Sequence, residues 1–149
     1  MIRIRFHGRG GHGMKTASRI VGTSAFLSGF EAQDSPVYGA ERRGAAVVAY
    51  TRISETRVLE RGAIEHPDLI VVGDETLIDD AGAAVLAGQE AASAVFVNAE
   101  STEPLSKHPG IQPRLVTLDV TSRTQEALGR ASALSAGLSA AGTSHRLYT

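Results

Sequence analysis

An alternating strand runs directly into a glycine-rich turn and then into a helix, and this junction constrains the chain more than any other feature. Ile2, Ile4 and Phe6 alternate with Arg3, Arg5 and His7. That period of two describes a strand with one face buried. Residues 8–13 read Gly-Arg-Gly-Gly-His-Gly. Met14 to Leu27 follows as a helix with a broad face of apolar and small residues, stopped at Gly29. Glycines at such a turn permit positive φ and let another backbone or a ligand come close. Positive φ is expected at Gly10 and Gly13. The helix start beyond them favours an anion.

Gly8, Gly10 and Gly13 satisfy G-x-G-x-x-G. A dinucleotide fold adds an acidic residue at the end of the second strand and a second helix after it. Glu31 and Asp34 lie at about that distance, but a Pro/Gly/Arg loop follows them. Lys15-Thr16 does not complete G-x-x-x-x-G-K-[ST], so a P-loop is not indicated. Three readings stay open at this point. The loop binds an anion, it serves a free-standing NAD-type nucleotide-binding protein, or it only packs a turn in a ligand-free assembly module.

Beyond the helix, Phe30–Gln33 reads as a short strand and Asp34–Gly44 as a surface loop. Ala45–Arg52 is β-prone, and Arg57–Glu60 reads as its return strand across a turn at Ser54–Thr56. Leu69–Val72 and Ala94–Val97 are continuous apolar runs of the buried parallel type. A helix is expected from about Leu77 to Gly88, and a loop with three prolines over Ser101–Pro113. Leu115–Leu118 is a last strand, and helices are expected over Thr121–Gly129 and Ala131–Ala141. Alternating strands and helices give an α/β fold: three layers, a largely parallel, mixed sheet flanked by helices. The 149 residues suit a single domain, 1–149.

Composition narrows the function. Lys+Arg is 15 against 16 Asp+Glu, so the basic excess of a nucleic-acid binder is missing. There is no cysteine, which excludes disulfides, a thiolate nucleophile and cysteine-held zinc or iron–sulfur centres in this chain. The N-terminus has no signal-peptide pattern, and no run approaches the roughly 18 apolar residues of a membrane span. A cytoplasmic location is the expectation.

Few side chains point to chemistry. The five histidines show no ligand spacing with carboxylates, so no metal site is indicated. Asp74-Glu75-Thr76 after a strand reads as a helix cap. Glu41-Arg42-Arg43-Gly44 is the sharpest cluster: arginine forks suit phosphates and carboxylates. Arg42 and Arg43 are therefore candidates for a phosphate or an interface contact. Gly8, Arg9, Gly10, Gly11, His12 and Gly13 form the candidate anion loop. No catalytic residue is assigned.

Three segments together resemble one family. GRGGHGMKTASRI at Gly8–Ile20, YGAERRGAAVVAYTRIS at Tyr38–Ser54 and PDLIVVGDETLI at Pro67–Ile78 are similar to the gamma subunit, or gamma domain, of the 2-oxoacid:ferredoxin (acceptor) oxidoreductases. The segment VTLDVTSRTQEALGR and the small-residue helix after it look like that family's closing stretch. His12 replaces the usual Gln and Ala40 the common Pro, and relatives often carry a further helix, which would make this a minimal version.

The resemblance implies a subunit that is inactive alone. Its complex would oxidatively decarboxylate a 2-oxoacid, such as pyruvate or ketoisovalerate, to acyl-CoA, with electrons passed to ferredoxin or NAD. Thiamine diphosphate and iron–sulfur clusters would sit in alpha, beta and ferredoxin-like partner subunits. This chain would support assembly and the CoA-facing side, with no cofactor of its own.

Overall fold

A computed structural model describes residues 1–37, 44–101, 103–111 and 114–128. The strands are β1 (Ile2–Arg9), β2 (Glu31–Pro36), β3 (Ala46–Ser54), β4 (Leu69–Val72), β5 (Ala94–Asn98) and β6 (Arg114–Leu118). The helices are α1 (Met14–Leu27), the short α2 (Glu103–Ser106) and α3 (Val120–Leu128), with single 3₁₀ turns at Glu75–Leu77 and Gln89–Ala91. One six-stranded sheet runs β2-β3-β1-β4-β5-β6. Strands β1, β4, β5 and β6 are parallel neighbours, while β3 is antiparallel to both β1 and β2. The fold is thus α/β with a largely parallel, mixed sheet flanked by helices.

The strand alternation sorts side chains between two faces. Ile4, Phe6 and Ala49 meet Met14 and Ala17 of α1 on one face. Ser18 of α1 lies against Thr51, 3.0 Å between hydroxyls, and also bonds Asp34 on β2. On the other face Ile70, Val72, Val95 and Val97, all fully buried, pack under Leu77, Ile78, Val85 and Leu105. Each such side chain contributes about 1.5–3 kcal/mol by leaving water. Arg5 and His7 lie on this second face and are buried, although alternation reads them as the open side of β1. The segments around 64–65 and 85–87 cover this face of β1, their carbonyls bonded by Arg5.

Four expectations change. Residues 57–60 form no return strand. Both edges of β3 are already occupied, by β2 and β1. Glu60 instead clamps the segment to the sheet, accepting from Arg3 Nη2 at 2.6 Å and Nε at 3.0 Å, with Arg52 Nε 3.5 Å away.

Residues 77–88 form turns rather than an α-helix. The buried Arg5 guanidinium takes the carbonyls of Val85 and Ala87, Ala84 has φ 44°, and Asp80 Oδ1 accepts from the Gly82 N–H at 2.9 Å. Carbonyls turned to a side chain cannot close helical bonds. Asp34 to Pro36 extend β2 instead of opening a loop, and α2 interrupts the 101–113 segment. The expected helix at 131–141 lies outside the described residues.

Candidate functional site

The glycine turn is built from the end of β1. Gly8 and Arg9 still belong to the strand, opposite Val47 and Ala46. A Cβ on Gly8 would run into the Met14 side chain, which is fully buried, so this position demands glycine by space. Gly11 (φ 89°) and Gly13 (φ 80°) hold the left-handed conformations. Gly10 does not, contrary to the sequence expectation. Its role is docking: its N–H donates to the Ala45 carbonyl at 2.8 Å, and its carbonyl accepts from the Gly44 N–H at 3.4 Å. The His12 N–H closes the turn on the Arg9 carbonyl at 3.0 Å.

Helix α1 begins at this turn without a side-chain cap and without a carboxylate in its first turn. Its positive end therefore faces a shallow cleft of about 250 Å³ lined by Arg9, Gly10, Gly11, Gly13, Lys15 and Val47. His12 Nδ1 is sealed from solvent and has no hydrogen-bond partner among the described residues. An unpaired buried nitrogen costs about 1–3 kcal/mol. A group delivered from outside the described residues would recover that.

Arg9, which lines this cleft, is also tied to the segments beside it. Its Nε donates to Asp74 Oδ2 at 3.0 Å, its Nη2 to Thr76 Oγ1 at 2.7 Å and its Nη1 to the Gly44 carbonyl at 3.2 Å. The guanidinium is thus a brace between the loop and the end of β4. Asp74 also caps the turn that follows, accepting from Thr76 N–H at 3.0 Å, as its position after a strand predicts. Burial by itself would raise the Asp74 pKa. The Thr76 hydroxyl and N–H and the Arg9 charge outweigh it and hold the carboxyl below its ordinary value.

The geometry argues against a dinucleotide site. Strand β2 is not the neighbour of β1, because β3 lies between them. Asp34, the candidate ribose ligand, sits within β2 and is bonded by Ser18 of α1. Glu31 opens β2 rather than ending it. Arg42 and Arg43 fall outside the described residues. The next residue, Gly44, is bonded to both Gly10 and Arg9. Among the described residues no three His, Asp or Glu side chains gather as a metal site, and no helix is long and apolar enough to cross a membrane.

Comparison with known proteins identifies the family. The family model described as pyruvate ferredoxin/flavodoxin oxidoreductase matches residues 3–146. This chain belongs to that family. Within it, the chain is similar to the pyruvate/ketoisovalerate oxidoreductases common subunit gamma of Thermococcus litoralis, 42% identical over an alignment of 134 residues, with 87% of this chain and 70% of that one covered. It is also similar to the pyruvate synthase subunit PorC of Methanothermobacter marburgensis, 39% identical over 130 residues, 87% of this chain and 70% of that one.

A family member of known structure is the pyruvate oxidoreductase subunit PORC of Thermotoga maritima. It superposes with a TM-score of 0.73 at 32% identity, over 89% of this chain and 69% of that one.

The loop is legible in the sequence, while its brace and the buried pair behind it are not. Asp74 and Thr76 were legible as a cap, but nothing in their spacing shows that Arg9 reaches them. Arg5 and His7 carried no signal, because a charged residue every second position is also what an exposed face looks like.

Proposed function

We propose that this chain is the gamma subunit of a multisubunit 2-oxoacid:acceptor oxidoreductase. The complex oxidatively decarboxylates a 2-oxoacid to acyl-CoA and passes the electrons to ferredoxin or NAD. The observation that carries this is the family match over residues 3–146, with subunits of the same kind at about 40% identity. The chain supplies no cysteine, so its residues do not fit a cysteine-held iron–sulfur cluster. Such clusters and thiamine diphosphate belong to the alpha, beta and ferredoxin-like partners, in the cytoplasm.

What this chain contributes is a positive, glycine-lined surface. The α1 N-terminus, the opened backbone at Gly11 and Gly13 and the unpaired His12 nitrogen suit an anionic group carried by CoA. Arg9 lines the same cleft and holds the loop in place through Asp74. Arg42 and Arg43 adjoin Gly44 in sequence and serve either CoA phosphate or a partner carboxylate.

The test is purification of the tagged full chain from its own cells, followed by a CoA-dependent 2-oxoacid oxidation assay. Co-elution with a thiamine- and cluster-bearing partner, activity in the complex and none in the separated chain is the expected result. A chain that elutes alone, or that oxidises a 2-oxoacid unaided, overturns the proposal.

A further inference from the structure

A second concavity lies on the sheet face opposite α1. It has a volume of about 420 Å³, and Arg5, His7 and Tyr50 supply its polar floor. Its apolar walls include Val48, Ile64, Ala83, Ala84 and Ala87. Size and lining match those of small-molecule sites, which are mostly apolar with a few placed polar groups. Glu65 and His66, both exposed, also border it.

The floor is organised by Arg5, which is 5% exposed. All of its donors are engaged. Its Nη1 donates to the Ile64 carbonyl at 3.1 Å and Glu65 carbonyl at 3.5 Å, and its Nη2 to the Val85 carbonyl at 2.9 Å and to that of Ala87. Its Nε donates to His7 Nε2 at 2.9 Å. That last bond fixes the imidazole. Nε2 accepts, so in the neutral ring the proton sits on Nδ1. Burial, helped by the Arg5 charge, pushes the His7 pKa down to about 3, so the ring is neutral near pH 7.

Two polar groups are left unpartnered. His7 is 5% exposed and Tyr50 9% exposed, yet neither His7 Nδ1 nor Tyr50 Oη has a hydrogen-bond partner among the described residues. Neither atom is sealed: the sealed, unpaired side-chain atoms among the described residues are His12 Nδ1 and Arg52 Nε. Tyr50 lies directly opposite Arg5 across the β1–β3 ladder, and His7 opposite Val48. Both therefore rise from adjacent strands into one cavity. Behind them stands a buried guanidinium that pairs with no carboxylate among the described residues.

Two donors, a cation behind them and small aliphatic walls define the chemistry of a complementary ligand. We propose that this cavity binds a small aliphatic monocarboxylate, its oxygens taking the His7 Nδ1–H and the Tyr50 hydroxyl while its carbon chain lies against Val48, Ile64 and Ala84. The Arg5 charge favours the anion without touching it, because its hydrogens are all committed. A phosphate offers more oxygens than the two donors can meet and no alkyl group for the walls. The Gly88 carbon and the Glu65 carbonyl bring the 63–66 and 83–88 segments together over Arg5, so the site is preformed rather than assembled by the ligand.

The experiment is calorimetric titration of the full chain at constant ionic strength, with isobutyrate, its neutral isostere isobutyramide, and inorganic phosphate as probes. A parallel ¹⁵N spectrum observes the His7 ring. Saturable binding of isobutyrate, at least about tenfold weaker binding of isobutyramide and phosphate, and movement of the His7 Nδ1 resonance are expected. A tenfold weakening corresponds to about 1.4 kcal/mol. Tyr50→Phe retains the ring and removes one donor, and is expected to weaken isobutyrate about fivefold or more with an unchanged melting temperature. Because His7→Gln perturbs the Arg5 contact, Ala63→Leu at the exposed border serves as a second, fold-neutral variant that obstructs the cavity. Absence of saturable isobutyrate binding, equal binding of the amide or of phosphate, or unchanged binding in both Tyr50→Phe and Ala63→Leu overturns the proposal.

Discussion

Arg9 Nε lies 3.0 Å from Asp74 Oδ2, so a residue at the end of β1 fastens the glycine turn to the end of the neighbouring parallel strand β4. The two side chains are less than a third exposed. The pair is therefore screened less than a surface ion pair. Arg9→Ala removes this contact together with those to Thr76 and Gly44, and is expected to cost about 1–2 kcal/mol. The same variant should weaken assembly or CoA-dependent turnover, because the turn loses its brace. Denaturant unfolding and steady-state kinetics of the reconstituted complex check the two parts separately.

Asp74→Asn should change how stability depends on acid. The Asp74 carboxyl has its pKa held below the ordinary value, so its contribution is present above the unfolded pKa and fades as pH falls through the folded one. Between neutral pH and about 4 the parent keeps its advantage over the variant, using the ordinary Asp pKa of about 3.9 as the upper edge. Below that the two should converge. Urea midpoints measured across this range decide the matter, and a constant gap down to strong acid would contradict it.

His7 gives acid sensitivity in a higher window. Its folded pKa of about 3 lies below the unfolded value of 6.5, so the unfolded chain takes up protons first as pH falls. Stability from this group is complete above about 6.5 and declines towards 3, with a total of about 3–5 kcal/mol. His7→Gln should flatten that part of the curve at the cost of some stability throughout. Unfolding free energy against pH, parent beside variant, is the measurement.

Glycine substitutions should separate three physical causes. Gly13→Val places a branched side chain at φ 80° and should cost about 1–3 kcal/mol. Gly10→Val carries no left-handed strain, so its effect comes through the contacts with Ala45 and Gly44 and should be smaller. Gly88→Ala combines φ 70° with a Cβ placed on the Glu65 carbonyl, and should cost about 3 kcal/mol or more. Thermal melts of the three variants should rank Gly88→Ala as most damaged and Gly10→Val as least.

Arg42→Ala and Arg43→Ala distinguish an interface from a CoA contact. Loss of a partner carboxylate's counter-ion would weaken assembly by about 2–5 kcal/mol. Loss of a phosphate contact would raise the KM for CoA and leave assembly intact. Assembly loss is the expected outcome, read by size exclusion beside CoA-dependent kinetics. Normal assembly and turnover in both single variants and the double variant would make the pair a solvated surface.

How far the sequence could be read depended on whether neighbours mattered. Helix α1 spans Met14–Leu27 and β4 spans Leu69–Val72, as the pattern predicts, because glycines and short apolar runs delimit them locally. Residues 77–88 look helical by composition, but Arg5 claims two of their carbonyls from a strand about 80 positions away. The return strand at 57–60 is a reasonable local hairpin that loses to β1 for the edge of β3. The candidate loop was legible as glycine, whereas its brace at Asp74 and the burial of His7 depend on the strand order, which local pattern does not encode.

The central place of β1 has a consequence for synthesis on the ribosome. Its two partners, β3 at 46–54 and β4 at 69–72, emerge long after it does. At about 5–20 residues per second, β4 follows β1 by roughly 3–13 s. Until residue 54 has emerged Ile2, Ile4 and Phe6 have no strand to join, β1 gains its second neighbour only with β4, and Arg5 has its full set of carbonyls only after residue 87. The nascent chain is therefore most open to chaperones, and to mispairing with other chains, until residue 72 has left the exit tunnel. Substitutions that weaken β4 should accordingly reduce soluble yield more than their effect on the finished protein's melting would suggest.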